Sequence, residues 1–235
     1  MSTGRSDMKR IELVVFDWDG TLMDSTARIV EAVQAATDAA GLPPRSGARI
    51  REIIGLGMGE AIATLYPDES VADHARLAST YRHAFVRAVA DRPARLFPGV
   101  ETMLGTLEAE HRMLAVATGK SRSGLQRDLE RSGIGWRFVA SRTVDESPSK
   151  PDPHMLHEIM ALCGVGPDAT LVVGDTLFDL EMAARAGVPA LGVAWGAHAA
   201  ERLWEAEPLA VLERVEHLPE RLRQHEQGAS GPDNP

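Results

Sequence analysis

The chain has 235 residues, 44% hydrophobic and 25% charged, with a formal net charge of −9 and a single cysteine. Those proportions exclude disorder, a collagen-like repeat and a disulfide scaffold, and a chain this long buries roughly 70–75% of its unfolded surface without a structural metal. The acid excess argues against bulk attraction to nucleic acid or anionic membrane, and no apolar run approaches the roughly 18 residues of a membrane span. The polar opening MSTGRSDMKR carries no targeting signal and Cys163 cannot form an internal disulfide, so the expected location is the cytoplasm.

In chain order, IELVVF (11–16) is the first apolar, β-branched run and predicts a strand ending at DWDG. From 25 to 96 no strand is predicted. Helical patterns there cover 26–40, 50–54, 58–65 and 70–91, punctuated by Pro43, Pro44 and Pro67. Strand-like runs then alternate with helical patterns. The strands are LAVAT (114–118), FVAS (138–141), TLVVGD (170–175), ALGVAW (190–195) and LAVL (209–212); the helices are 100–110, 123–132, 153–163 and 177–186. Gly133, Gly164 and Gly187 stand where helix C-caps are expected. The pattern predicts an α/β fold: a Rossmann-like, doubly wound parallel sheet with an inserted all-helical domain. The expected division is a discontinuous core over 1–24 and 97–223, a helical insertion over 25–96 and a loose tail over 224–235.

Four segments fall at predicted strand ends or helix starts, where open α/β sheets bind ligands: DWDGTLMDS, TGK, SPSKPDP and GDTLFD. Asp17 and Asp19 are two apart, and Asp175 and Asp179 add two more acids. Close carboxylates repel unless a proton or cation separates them. Oxygen-only ligands with one lysine nearby favour magnesium over zinc or copper. The competing reading is that acids such as Asp24 and Asp175 merely cap helices. An EF-hand loop from Asp17 fails because Leu22 and Arg28 occupy the positions needing Gly and Glu. A phosphate loop ending at Gly119-Lys120-Ser121 fails because Leu114 stands where its first glycine belongs. Acids, a threonine and a lysine at strand ends form a kit for phosphoryl transfer.

The set DWDGTLMDS, ATGK, SKPDP and GDTLFD resembles the haloacid dehalogenase superfamily, in particular its phosphoglycolate phosphatase-like branch. The motifs run in the family's order from 17 to 179. The resemblance implies a helical cap inserted after the first motif and a magnesium-dependent phosphatase acting on phosphoglycolate or a similar small phosphate monoester. It implies Asp17 as nucleophile forming an aspartyl-phosphate and Asp19 as general acid and base. Thr118 and the Gly119 backbone would hold phosphate, and Lys150 would pair with phosphate and nucleophile. Magnesium would be ligated by Asp17, the Asp19 carbonyl and Asp175, with Asp179 supporting directly or through water.

Asp19 separates the chain from the family's dehalogenases, which lack that acid because halide leaves without a proton. Phosphonate-cleaving relatives need a cap lysine, and 25–96 contains none: Lys9, Lys120 and Lys150 are the only lysines. A sugar-phosphate mutase is the alternative within the superfamily. A non-enzymatic receiver-like phosphoprotein fits poorly, since receivers lack a helical insertion. Lys9 is expected at the surface, and Lys120 either touches a bound anion or is solvated. The GLGMG loop (55–59) either faces the substrate or simply turns. Arg49 and Arg51 either reach a substrate carboxylate or lie on a solvated face. Trp18 is expected to pack, Cys163 to fill core, and His154 and His157 lack a third metal ligand. The partner is a small phosphate ester, with no nucleic acid or membrane, and the protein a monomer or homodimer.

Overall fold

The computed structural model describes residues 10–91 and 94–228. The chain enters through β1 (Leu13–Phe16), then makes a short strand β2 (Met23–Asp24) and four helices: α1 (Thr26–Ala40), α2 (Gly47–Arg51), α3 (Met58–Leu65) and α4 (Val71–Asp91). It returns through β3 (Arg95–Leu96) and α5 (Val100–Ala109). The alternating part follows as β4 (Met113–Thr118), α6 (Arg122–Ser132), β5 (Phe138–Thr143), α7 (His154–Cys163), β6 (Thr170–Gly174) and α8 (Leu177–Arg185). It closes with β7 (Ala190–Val193), α9 (Ala200–Leu203), β8 (Ala210–Leu212) and α10 (Leu218–Glu226). Among the described residues no helix is long and apolar enough to cross a membrane.

Six strands form one parallel sheet in the order β5-β4-β1-β6-β7-β8. All four residues of β1 are buried, as expected of a strand with helices on both faces. Leu13 and Val15 pack with α7 and α8 residues such as Leu156 and Leu180, while Val14 and Phe16 pack on the other face with Leu104, Leu107 and Leu222. Each such side chain contributes roughly 1.5–3 kcal/mol by leaving water. The chain runs β1, β4, β5 to one side and then resumes at β6 on the other. The gap above β1 and β6 is therefore the switch point where α/β sheets open toward ligands.

The helices α1 to α4 have a hydrophobic cluster of their own, with Val33, Ala36, Ile50, Ile62, Tyr66 and Leu77 among its buried members. Within it α1 packs against α4. The 26–40 and 58–65 helices stand where the periodicity places them. The 50–54 helix does not: it runs over Gly47–Arg51, because Ser46 caps it by accepting from the Arg49 N–H at 3.2 Å. A turn ending at Gly55 (φ 100°) then takes the chain out.

Two expectations need correction. The 25–96 stretch is not free of strand, since β3 pairs antiparallel with β2 through Met23↔Leu96 and Asp24↔Arg95. Two-residue strands carry no periodic signal. The stretch from 224 onward begins in regular structure, because α10 extends to Glu226. The Glu226 carboxylate grips the buried Arg112 guanidinium at 2.5 and 3.1 Å and accepts from the Ile11 N–H at 2.8 Å, which ties that end of the helix to the sheet. Residues 229–235, and Lys9, lie outside the described residues.

Candidate active site

Each expected residue arrives at the sheet's C-terminal edge by its own element. Asp17 directly follows β1, and its N–H donates to the Val173 carbonyl at 2.9 Å. Thr118 is the last residue of β4, Asp175 directly follows β6, and Asp179 lies in the first turn of α8. Because β1 sits between β4 and β6, these groups converge on Asp17 from both sides. Lys150 comes from the segment ahead of α7 and is one of the largest fully buried side chains in the molecule.

Oxygens of Asp17, Asp175 and Asp179 lie within 4.8 Å of one another, all buried. The Lys150 ammonium bridges two of them, 2.5 Å from Asp17 Oδ1 and 2.6 Å from Asp179 Oδ1. Asp175 Oδ1 accepts from the Thr21 hydroxyl at 2.8 Å, and its Oδ2 accepts from the Ala197 N–H at 2.7 Å. Asp179 Oδ2 accepts from the Thr176 N–H and hydroxyl at 3.1 and 2.7 Å, closing the capping box that starts α8. The capping interpretation is thus true of Asp179, yet one of its oxygens still serves the cluster. Asp17 Oδ2 is different: it is buried with no hydrogen-bond partner.

Burial pushes the Asp17 carboxyl up to about 7; Lys150 opposes that rise, and the charges of Asp179 and Asp19 add to it. Asp175 is likewise raised by burial, with Asp17 and Asp179 adding. Burial would lower the Lys150 ammonium, but the two carboxylates outweigh it and hold it charged. With all three carboxylates ionised, one ammonium leaves two negative charges uncompensated at a buried site. A divalent hard cation with oxygen ligands fits that charge. Gly20 completes the cluster. It adopts φ 91°, and a Cβ there would collide with the Asp175 carboxylate.

Asp19 does not join the trio with its side chain. Its carboxylate accepts from Lys120 Nζ at 2.9 and 2.8 Å and from the Ser25 hydroxyl at 2.7 Å. Lys120 also pairs with Asp128 at 3.1 Å, and Asp128 accepts from the Trp18 indole at 3.2 Å. The site therefore holds Lys120 as well as the buried Lys150. Of the two readings for Lys120, solvation is the one that fails: its side chain is 9% exposed.

Asp17, Asp19, Thr118, Gly119 and Lys120 line one wall of a cavity of about 570 Å³, whose opposite wall is helical. The 55–59 loop contributes Gly55, Leu56 and Met58 to it, and the Gly57 N–H donates to the Ser149 hydroxyl at 2.7 Å. Arg49 and Arg51 are not among its lining residues. Arg49 instead pairs with Glu52 at 2.7 Å on the surface. Trp18 is fully buried, Cys163 half-buried against the sheet, and His154 and His157 exposed.

The description haloacid dehalogenase-like hydrolase matches residues 14–193, three quarters of the chain and every residue of the cluster. The chain belongs to that family. Among similar hydrolases, the probable phosphatase IndB of Dickeya dadantii is 35% identical over 208 residues, covering 86% of this chain and 89% of that protein. A phosphoglycolate phosphatase of Vibrio cholerae is 32% identical over 212 residues, covering 86% and 92%. The crystal structure of a hydrolase from Pseudomonas syringae superposes with a TM-score of 0.80 at 27% identity, covering 89% of this chain and 98% of that one. The family resemblance read from the four motifs and the doubly wound sheet are both borne out. Motif reading did not find Thr21, Asp128 or His198, whose Nδ1 accepts from the Leu177 N–H at the start of α8 at 3.0 Å. For Thr21 a signal was present within DWDGTLMDS. Asp128 and His198 act across elements distant in sequence and leave none.

Proposed function

We propose that this hydrolase is a cytoplasmic, magnesium-dependent phosphatase that releases inorganic phosphate from a small-molecule phosphate monoester, with helices α1 to α4 acting as its cap. The observation that carries the reading is Asp17. One of its oxygens is held by Lys150 while the other is buried without a partner, and the residue lines the cavity floor. Asp17 Oδ2 bonds to phosphorus as the ester P–O bond breaks, giving an aspartyl-phosphate. Asp19 gives a proton to the departing alkoxide. It then takes one from the water that attacks phosphorus, and free phosphate leaves as Asp17 is restored. Thr118 and the Gly119 backbone hold phosphate oxygens, and Lys150 keeps Asp17 oriented while neutralising charge.

Asp17, Asp175 and Asp179, with the Asp19 carbonyl, would hold magnesium, which supplies charge neutralisation to the phosphoryl group. Lys120 is a positioning residue: it and Ser25 fix the Asp19 carboxylate. The Vibrio cholerae relative carries the name phosphoglycolate phosphatase, which supports a small organic phosphate as substrate.

The test is phosphate release followed by phosphorus NMR over a panel of esters with magnesium present. Wild type is expected to produce free phosphate rather than an isomerised ester. Asp17→Asn is expected to lose at least about 1,000-fold in kcat, the order of effect seen on removing a catalytic nucleophile. Equal rates in the two proteins would show that Asp17 is not the nucleophile.

A further inference from the structure

The cavity above Asp17 does not stop at the phosphate site. It runs on between α1, α3 and α4, where Val33, Ile62, Leu65 and Leu77, all buried, form its walls. Among the described residues its only charged lining residue on this helical side is Arg82, which is exposed. Part of this helical wall is aromatic. Tyr81 and Phe85 stack with ring centroids 5.6 Å apart and planes 24° from parallel. Lys120 Nζ lies 5.1 Å from the centre of the Phe85 ring, so the aromatic pair adjoins the group that holds Asp19.

A volume of about 570 Å³ is in the range of pockets that enclose ligands of roughly drug size, about 300–1,000 Å³. A two-carbon hydroxyacid would leave most of it unfilled. Apart from the lining cations Arg82, Lys120 and Arg127, the helical walls its carboxylate would meet are apolar, and there an unpaired charge is strongly disfavoured. The two arginines that a carboxylate-binding cap would use, Arg49 and Arg51, are not on this wall.

We propose that the cavity takes a phosphate monoester whose alcohol is apolar and at least ring-sized. An aryl or cyclic alkyl body would lie among α1, α3 and α4 and against Tyr81 and Phe85. The inference rests on the phosphatase reading for its chemistry and on the cavity alone for its ligand class. Phe85 is then a residue that sets specificity. It contributes stacking area to the leaving group and no atom to the reaction.

The first arm measures kcat/KM with magnesium for ethyl, butyl and hexyl phosphate, 1-naphthylmethyl phosphate and phosphoglycolate. The expected gain is about three- to fourfold per added methylene, the rate equivalent of burying one CH2 group, with phosphoglycolate below hexyl phosphate. A flat series, or phosphoglycolate as the best of the set, overturns the proposal. Phe85→Ala is expected to lower the ratio of naphthylmethyl to ethyl kcat/KM about tenfold. Being a ratio within one protein, it is insensitive to any loss of folded fraction, and an unchanged ratio counts against the aromatic wall.

The second arm needs no turnover: calorimetric binding of 1-naphthylmethylphosphonate against phosphonoacetate. Binding of the aryl compound at least tenfold tighter supports the ligand class. Equal or reversed affinities overturn it. If the aryl phosphonate binds tighter while no ester is cleaved, the phosphatase reading fails and the ligand class stands.

Discussion

At the scale of single residues, the site is held together at the expense of stability. Asp17 has one oxygen with no partner, and burial raises its carboxyl to about 7. An acid whose pKa is raised by folding contributes stability below its unfolded pKa and loses it as pH climbs toward the folded value. In chelator, the stability of wild type minus that of Asp17→Asn should therefore fall between about pH 4 and pH 7. Urea unfolding of both proteins across that range checks this, and a constant difference would remove Asp17 as the cause. Magnesium at about 100 times its dissociation constant should add about 2.7 kcal/mol to wild type and far less to Asp17→Asn, read as a shift in thermal melting. The acids of this cluster were legible in the sequence because Asp17 follows β1 and Asp175 and Asp179 follow β6 within one short segment, so two short motifs carry them. Lys120 was half legible. Its lysine stands in the TGK motif, but the partner that fixes it, Asp128, comes from within α6, and Phe85 from α4.

Elements were legible where a buried face writes a run into the sequence. The strands β1, β4 and β6 are unbroken apolar stretches, since helices cover both sides of the sheet. The last helix is the counter-example. LPERLRQHE buries Leu218, Pro219, Arg221 and Leu222 and presents charge elsewhere, so its last three residues, 224–226, read as the start of the tail. What holds its end is an ion pair rather than an apolar stripe. The Arg112 side chain is 2% exposed and is bound by Glu226, Glu110 and the Ile11 carbonyl. Removing one partner of a buried pair typically costs about 3–5 kcal/mol, and Glu226 is partly exposed, so Glu226→Ala should cost about 2–3 kcal/mol. Arg112→Met in the same chain should recover part of that loss, because the stranded charge goes with it. The Glu226 carboxyl is held below its ordinary value: burial opposes this, and Arg112 and the Ile11 N–H outweigh it. Its contribution is thus present above the ordinary Glu pKa and lost as pH falls through the lower, folded one. Urea titrations at pH 7 and pH 3 should show the Glu226→Ala penalty shrinking at the acid end.

Across the whole molecule, the sheet and the four helices meet around the cavity, and the backbone itself makes part of the junction. A Cβ on Gly119 would lie 2.5 Å from the Gly55 carbonyl oxygen and 2.8 Å from that of Leu56. Gly119→Ala should push the two halves apart. We expect up to about a 100-fold fall in kcat/KM from misplacement with no more than about 3 kcal/mol lost in stability. Steady-state rates and melting on the same preparation separate the two effects. The junction could not be read from the sequence, because it depends on where the 55–59 loop lands, although the helical insertion that supplies it was legible. The distribution of lysine has a practical consequence. Among the described residues lysine occurs only at 120 and 150, with side chains 9% and 0% exposed. Both amines thus lie inside the chemistry, on an arginine-rich chain. A lysine-specific protease should leave the folded 10–228 region uncut at Lys120 until the cavity opens. Cleavage there would then act as a clock for opening, slowed by whatever ligand closes the site.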